Sequence, residues 1–313
     1  MLTGDKIERE MNTDTKLTSR IVRILKQIIL VLRAAGASFG RMGGARGAAG
    51  MAYYTLFSFF PLLIVLVTIV SYFVDGAEAS SRVAQLVISV IPVSQNFVEV
   101  NISRILQVRN SVGLLSLVFF LWSGSNAFSM MVHHIMSAWP ENERRSFFQK
   151  RLFGLAMVIF IILVLFVLML SSTVLNVLVK YRDTIPGIEL LFNSWLWHLG
   201  ARVLYWVVPF LFFYSLYRII PMGRVPIKAA SLSAVGITVL WRLASMGFQW
   251  YLSSGFARYE VIFGSLSAVI AILLWIYISS LILFFGAHVC AAGSGKIKLG
   301  EIGGFALPRL HHR

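Results

Sequence analysis

The sequence predicts an all-α, polytopic membrane protein with six transmembrane helices and both termini in the cytoplasm. Three observations carry that reading: six long apolar runs, a charged fraction of only 13% over 313 residues, and a lopsided placement of Lys and Arg along the chain. That charged fraction is about half that of an average soluble protein. The one cysteine, Cys290, has no intrachain partner, which removes disulfide-built secreted scaffolds and thiolate metal clusters from consideration.

A helix crosses a hydrocarbon core of about 30 Å with about 20 mostly apolar residues. Six stretches qualify: Gly50–Val74, Val112–Ile135, Leu152–Val179, Trp195–Ile220, Ile227–Ser253 and Ile262–Ala292. Away from the span ends only Arg202 and Arg242 are formally charged, and no Asp or Glu lies in any of the six. Ahead of them, Leu17–Phe39 carries Arg20, Arg23, Lys26 and Arg33, each costly inside a bilayer. On a helical wheel these residues and Gln27 gather on one side, with Ile21, Ile24, Leu25, Ile28, Val31 and Leu32 on the other. This pattern predicts an interfacial amphipathic helix rather than a span or a cleaved secretory signal.

Orientation follows from the basic residues. Twenty Lys and Arg fall in the N-terminal 49 residues, the loop after span two, the turn after span four and the tail, against six in the opposite loops. The positive-inside rule then puts both termini in the cytoplasm. The formal net charge of +15 is thereby read as a topological feature facing anionic lipid, and not as a nucleic-acid footprint. Between spans one and two, RVAQLVISVI and SQNFVEVNISRILQV, separated by Pro92, predict two short amphipathic helices on the periplasmic surface. No linker divides the chain, so a cytoplasmic segment 1–49, a membrane domain 50–292 and a cytoplasmic tail 293–313 are expected.

Function has few residues to rest on. Arg242 lies near the middle of span five, where a charge costs about 2.5–3.5 kcal/mol on insertion scales. With Thr238, Ser245 and Gln249 it forms a polar stripe at helical spacing. Two readings stand: a tie to backbone carbonyls and hydroxyls, or a site for an anion or lipid headgroup. In span two, Trp122, Asn126, Ser129 and His133 repeat the same spacing, which serves either helix packing or a hydrophilic groove facing the first stripe. Arg202, near the outer end of span four, has the length to snorkel. Pro61 and Pro209 interrupt spans one and four, as shape or as hinges, and Pro209 leaves the Tyr205 carbonyl without its usual donor.

Enzyme signatures are thin. His133 and His134 are adjacent and so point to different faces, and His288 has no carboxylate near it in sequence. No G-x-S-x-G, H-E-x-x-H or P-loop string occurs, so no catalytic residue, metal ligand set or cofactor is expected.

Several strings together resemble the YihY/BrkB family of bacterial inner-membrane proteins, once misleadingly labelled ribonuclease BN. They are AAGMAYYTLFSFFPLLI in span one, LWSGSNAF and ENERRSFFQKRL around the end of span two, LYRIIP after span four, and the run from GFQWYLSSGF to LFFGAHV through spans five and six. The resemblance extends from about Ala48 to Ala291 and implies six helices with both termini inside. Where the family usually reads Gly-Ala-Glu at the end of span six, this chain has Gly286, Ala287 and His288, and a family Tyr-Gly pair is Phe263-Gly264. A cell-envelope role is implied. The expected function is an inner-membrane protein that binds or transports an amphiphilic anion such as a phospholipid or a lipid A-like molecule, with membrane lipids as its partners. The alternative is a non-transporting scaffold for envelope machinery.

Overall fold

Gly43, at a backbone φ of 67° that side-chain-bearing residues rarely adopt, turns the chain between its first two described helices. The computed structural model describes residues 22–23, 25–70, 81, 83–85, 95–139, 152, 195–221, 225–254 and 267–295. They form helix α1 over 25–41, α2 over Gly44–Val70, α3 over Gln95–Met136, α4 over Trp195–Ile219, α5 over Ile227–Ser253 and α6 over Ser267–Gly293. No strand occurs among the described residues.

Among the described residues, four helices hold segments long and apolar enough to cross a membrane: Gly44–Leu66, Leu115–Met136, Ile227–Ser253 and Val269–Gly293. At 25 residues α4 has the length to cross as well. The expected third span, Leu152–Val179, lies outside the described residues apart from Leu152, as does the expected tail from Lys296 onward.

One expectation is corrected. SQNFVEVNISRILQV is not a separate surface helix, because α3 runs unbroken for 42 residues from Gln95. Its length of about 63 Å is twice what a bilayer core requires. The physical reason is that no proline falls between Pro92 and Pro140, and the two glycines, Gly113 and Gly124, weaken a helix without ending it. Most of the other surface run, RVAQLVISVI, lies outside the described residues.

Close contacts fix the directions. Gly47 and Gly50 of α2 approach His134 and Met130 of α3, while Val65 packs on Phe120, so the two helices are antiparallel. Trp241 of α5 donates to Ser279 of α6 at 3.2 Å and Phe248 meets Trp275, again antiparallel. Tyr217 near the end of α4 donates to the Leu283 carbonyl of α6 at 2.9 Å. The main core therefore sits at one end of the bundle, where Ala34 and Ala35 of α1, Ile135 of α3, Tyr217 of α4, Ala234 of α5 and Phe284 of α6 meet.

Small residues make that end tight. A Cβ on Gly47 would lie 2.4 Å from the His134 ring, and one on Gly286 would lie 2.1 Å from the Tyr217 hydroxyl. Both positions need glycine because another helix passes within contact distance.

Candidate functional site

The α4–α5 pair builds the site. Pro209 carries no N–H, so the Tyr205 carbonyl one turn earlier has lost its helical donor. Arg242 supplies a replacement. Its Nη2 donates to the Tyr205 carbonyl across the helix pair, and its Cζ lies 3.3 Å from the centroid of the Tyr205 ring. The Trp241 ring centroid stands 5.2 Å from the same Cζ. A guanidinium stacked on aromatic faces gains about 0.5–2 kcal/mol depending on its desolvation.

The arginine is half-buried, its Nε is enclosed without a hydrogen-bond partner, and its own helix carries no Asp or Glu. Tyr205 and Trp206 are about half exposed, so the aromatic wall is open on its outer flank. Chemically this is a cation on an aromatic ledge, with Nη2 engaged by a backbone carbonyl and Nε without a partner. Such a group binds carboxylate or phosphate oxygens through paired donors.

The rest of the expected stripe divides by depth. Thr238 and Ser245 are buried, the Thr238 hydroxyl donates to the Ala234 carbonyl at 2.7 Å, and Gln249 is exposed. On α3, Trp122 and His133 are exposed while Asn126 and Ser129 are half-buried. Among the described residues α3 packs chiefly on α2 and α6, and α5 on α4 and α6, so the two stripes lie on helices that are not packed directly on each other. The buried polar residues of α3 are Ser116, Ser123 and Ser125. Arg202 lies on α4, with its side chain outside the described ones. Pro61 lies within α2, which continues through it.

A second polar cluster sits in the main core, and sequence reasoning missed it. His288 is buried with its Nδ1 3.0 Å from the Ser38 hydroxyl, and the Phe39 ring meets the His288 ring edge to face at 5.8 Å. One turn away, the His134 ring lies 5.2 Å from that of Phe284, with its Nδ1 enclosed and unpartnered. Nothing in the local sequence joins Ser38 to His288, which are 250 residues apart. The one available signal was the glycine-rich GRMGGARG run, which marks a close helix approach. Among the described residues no group of three or more His, Cys, Asp or Glu is placed to hold a metal.

The fold and these contacts define a polytopic helical membrane protein. The family model described as Virulence factor BrkB matches residues 36–301, and the chain belongs to that family. It is 28% identical over 213 residues to the putative ribonuclease-like protein YfkH of Bacillus subtilis, an overlap of 66% of this chain and 75% of the relative. A UPF0761 membrane protein of Vibrio campbellii is 28% identical over 152 residues, 49% of this chain and 46% of its own length. One from Pseudomonas aeruginosa is 37% identical over 103 residues, 31% of this chain and 25% of its own. The chain thus spans less than half the length of these two membrane proteins. No solved structure matches.

Proposed function

We propose that this protein works in the bacterial inner membrane, with both termini cytoplasmic, by binding or moving an amphiphilic anion, a phospholipid or a lipid A-like molecule. The observation that carries the reading is Arg242: a half-buried guanidinium on an aromatic ledge, within a candidate span whose own sequence holds no Asp or Glu. A headgroup phosphate offers two oxygens to the guanidinium fork, and acyl chains match the exposed apolar flank of Val203, Val207 and Leu211. In this reading the protein is not an enzyme, needs no cofactor and binds no nucleic acid. The name of the Bacillus relative refers to ribonuclease, whereas the polar residues described here offer no activated nucleophile beside a phosphate-binding group.

Lipid that stays bound through purification tests the reading. Native mass spectrometry of the detergent-purified protein is expected to show anionic lipid adducts that are lost in Arg242→Gln. Equal adducts in both would remove the site.

The hydrogen bond from Arg242 to the Tyr205 carbonyl favours a second reading, a non-transporting scaffold in which the arginine only repairs the proline break. Its signature is a loss of stability in Arg242→Gln with no change in lipid content.

A further inference from the structure

Helix α1 has three faces, not two. Ala34, Ala35 and Ser38 turn inward and are buried, and small side chains at these positions let α1 lie close on the bundle. Leu25, Ile28, Ile29 and Leu32 form a second, apolar face that is exposed, at 52%, 46%, 54% and 43% respectively. Lys26 and Arg33, with Arg23 just ahead of the helix, form a third face, also exposed. Burial in the protein accounts for the first face only. The second leaves four large apolar side chains side by side in the open, which a soluble surface avoids.

The depth of α1 says what covers them. Ser38 contacts His288, and the candidate span that contains His288 ends five residues later at Gly293. That places the contact about 7 Å from the end of the candidate span, at the end of the bundle, where amphipathic helices meet the boundary of headgroups and acyl chains. The edge-to-face contact of Phe39 with Phe285, at 6.1 Å, pins α1 at the same level.

We propose that the exposed apolar face of α1 is a docking surface for the anionic lipid leaflet at that end of the bundle. Leu25, Ile28, Ile29 and Leu32 insert among the upper acyl chains, and Arg23, Lys26 and Arg33 meet headgroup phosphates. This surface is separate from Arg242 and does not depend on a ligand there. Each basic residue near an anionic surface contributes about a fivefold change in occupancy, so neutralising three has a large effect.

The test uses the full-length protein in lipid nanodiscs, with an environment-sensitive fluorophore on Leu25→Cys, Leu32→Cys or Lys26→Cys. Cys290 is fully buried and stays in place, and unsubstituted protein sets the labelling background. The discs contain phosphatidylcholine with or without phosphatidylglycerol, plus lipid with a nitroxide quencher high on the acyl chain. The expected result is loss of most emission from the Leu25 and Leu32 labels in anionic discs, with weak quenching at Lys26. Replacing the charged residues (Arg23→Gln, Lys26→Gln, Arg33→Gln) should restore emission at Leu25 and Leu32. Blue-shifted emission without quenching would mean that protein covers the face, and water-like emission without quenching would mean that nothing does. Either overturns the proposal, as does quenching indifferent to lipid charge and to the triple substitution.

Discussion

Arg242 of α5 hydrogen-bonds the backbone carbonyl of Tyr205 in α4, the same carbonyl that Pro209 deprives of its helical donor. A proline break in one helix and a charge within its neighbour thus offset each other. Either feature alone would leave a polar group poorly satisfied in an apolar setting.

This relationship predicts a coupling measurable by a double-mutant cycle. Pro209→Ala returns an N–H to the Tyr205 carbonyl and makes the arginine redundant there. Arg242→Met should therefore destabilise the native protein more than it destabilises Pro209→Ala, with a coupling of about 1–3 kcal/mol. Thermal or denaturant unfolding in detergent supplies the four values, and additive effects would show that the bond contributes nothing to stability.

A second prediction concerns Gly47. Its missing Cβ makes room for the His134 ring, so Gly47→Ala should destabilise the α2–α3 pair by about 1–3 kcal/mol through overpacking. His134→Ala in the same chain should recover most of that loss. Failure of the second substitution to rescue the first would mean that the two helices are spaced differently.

Topology is tested by reporters fused after Arg313, within Glu141–Lys150 and at Ser94. The first two should read cytoplasmic and the third periplasmic, because the basic residues divide twenty to six. A periplasmic C-terminus would contradict the orientation.

Purified protein should cleave RNA no faster than a His133→Ala, His134→Ala preparation made in parallel. Cleavage by the unsubstituted protein that disappears in the double variant would require a catalytic role for this pair.

The positions of α2, α4, α5 and α6 were legible because long apolar runs leave a chain little choice but helix in a bilayer. The orphaned Tyr205 carbonyl was legible too, since a proline acts four residues back whatever the fold. Its partner was not. That Arg242 would reach it depends on how α4 and α5 pair, and a pattern along one helix does not encode which neighbour it faces. The stripe on α3 shows the same gap: Trp122 is 52% exposed, while Ser123 and Ser125 beside it are buried. For α1 the wheel separated basic from apolar residues, but Ala34, Ala35 and Ser38 carried too little hydrophobicity to reveal a third, docked face. The continuity of α3 beyond the membrane-length segment was missed because amphipathic and fully apolar patterns were read as separate elements.

The central claim is that Arg242 holds an anionic lipid, and it is tested most directly by measuring phosphatidylglycerol binding and melting temperature on the same samples of native protein, Arg242→Lys and Arg242→Gln. The lysine keeps the charge but loses the paired donors, so binding should weaken partially; the glutamine should abolish it in protein that remains inserted and folded. Folded Arg242→Gln protein that binds the lipid as well as the native chain does would contradict the claim.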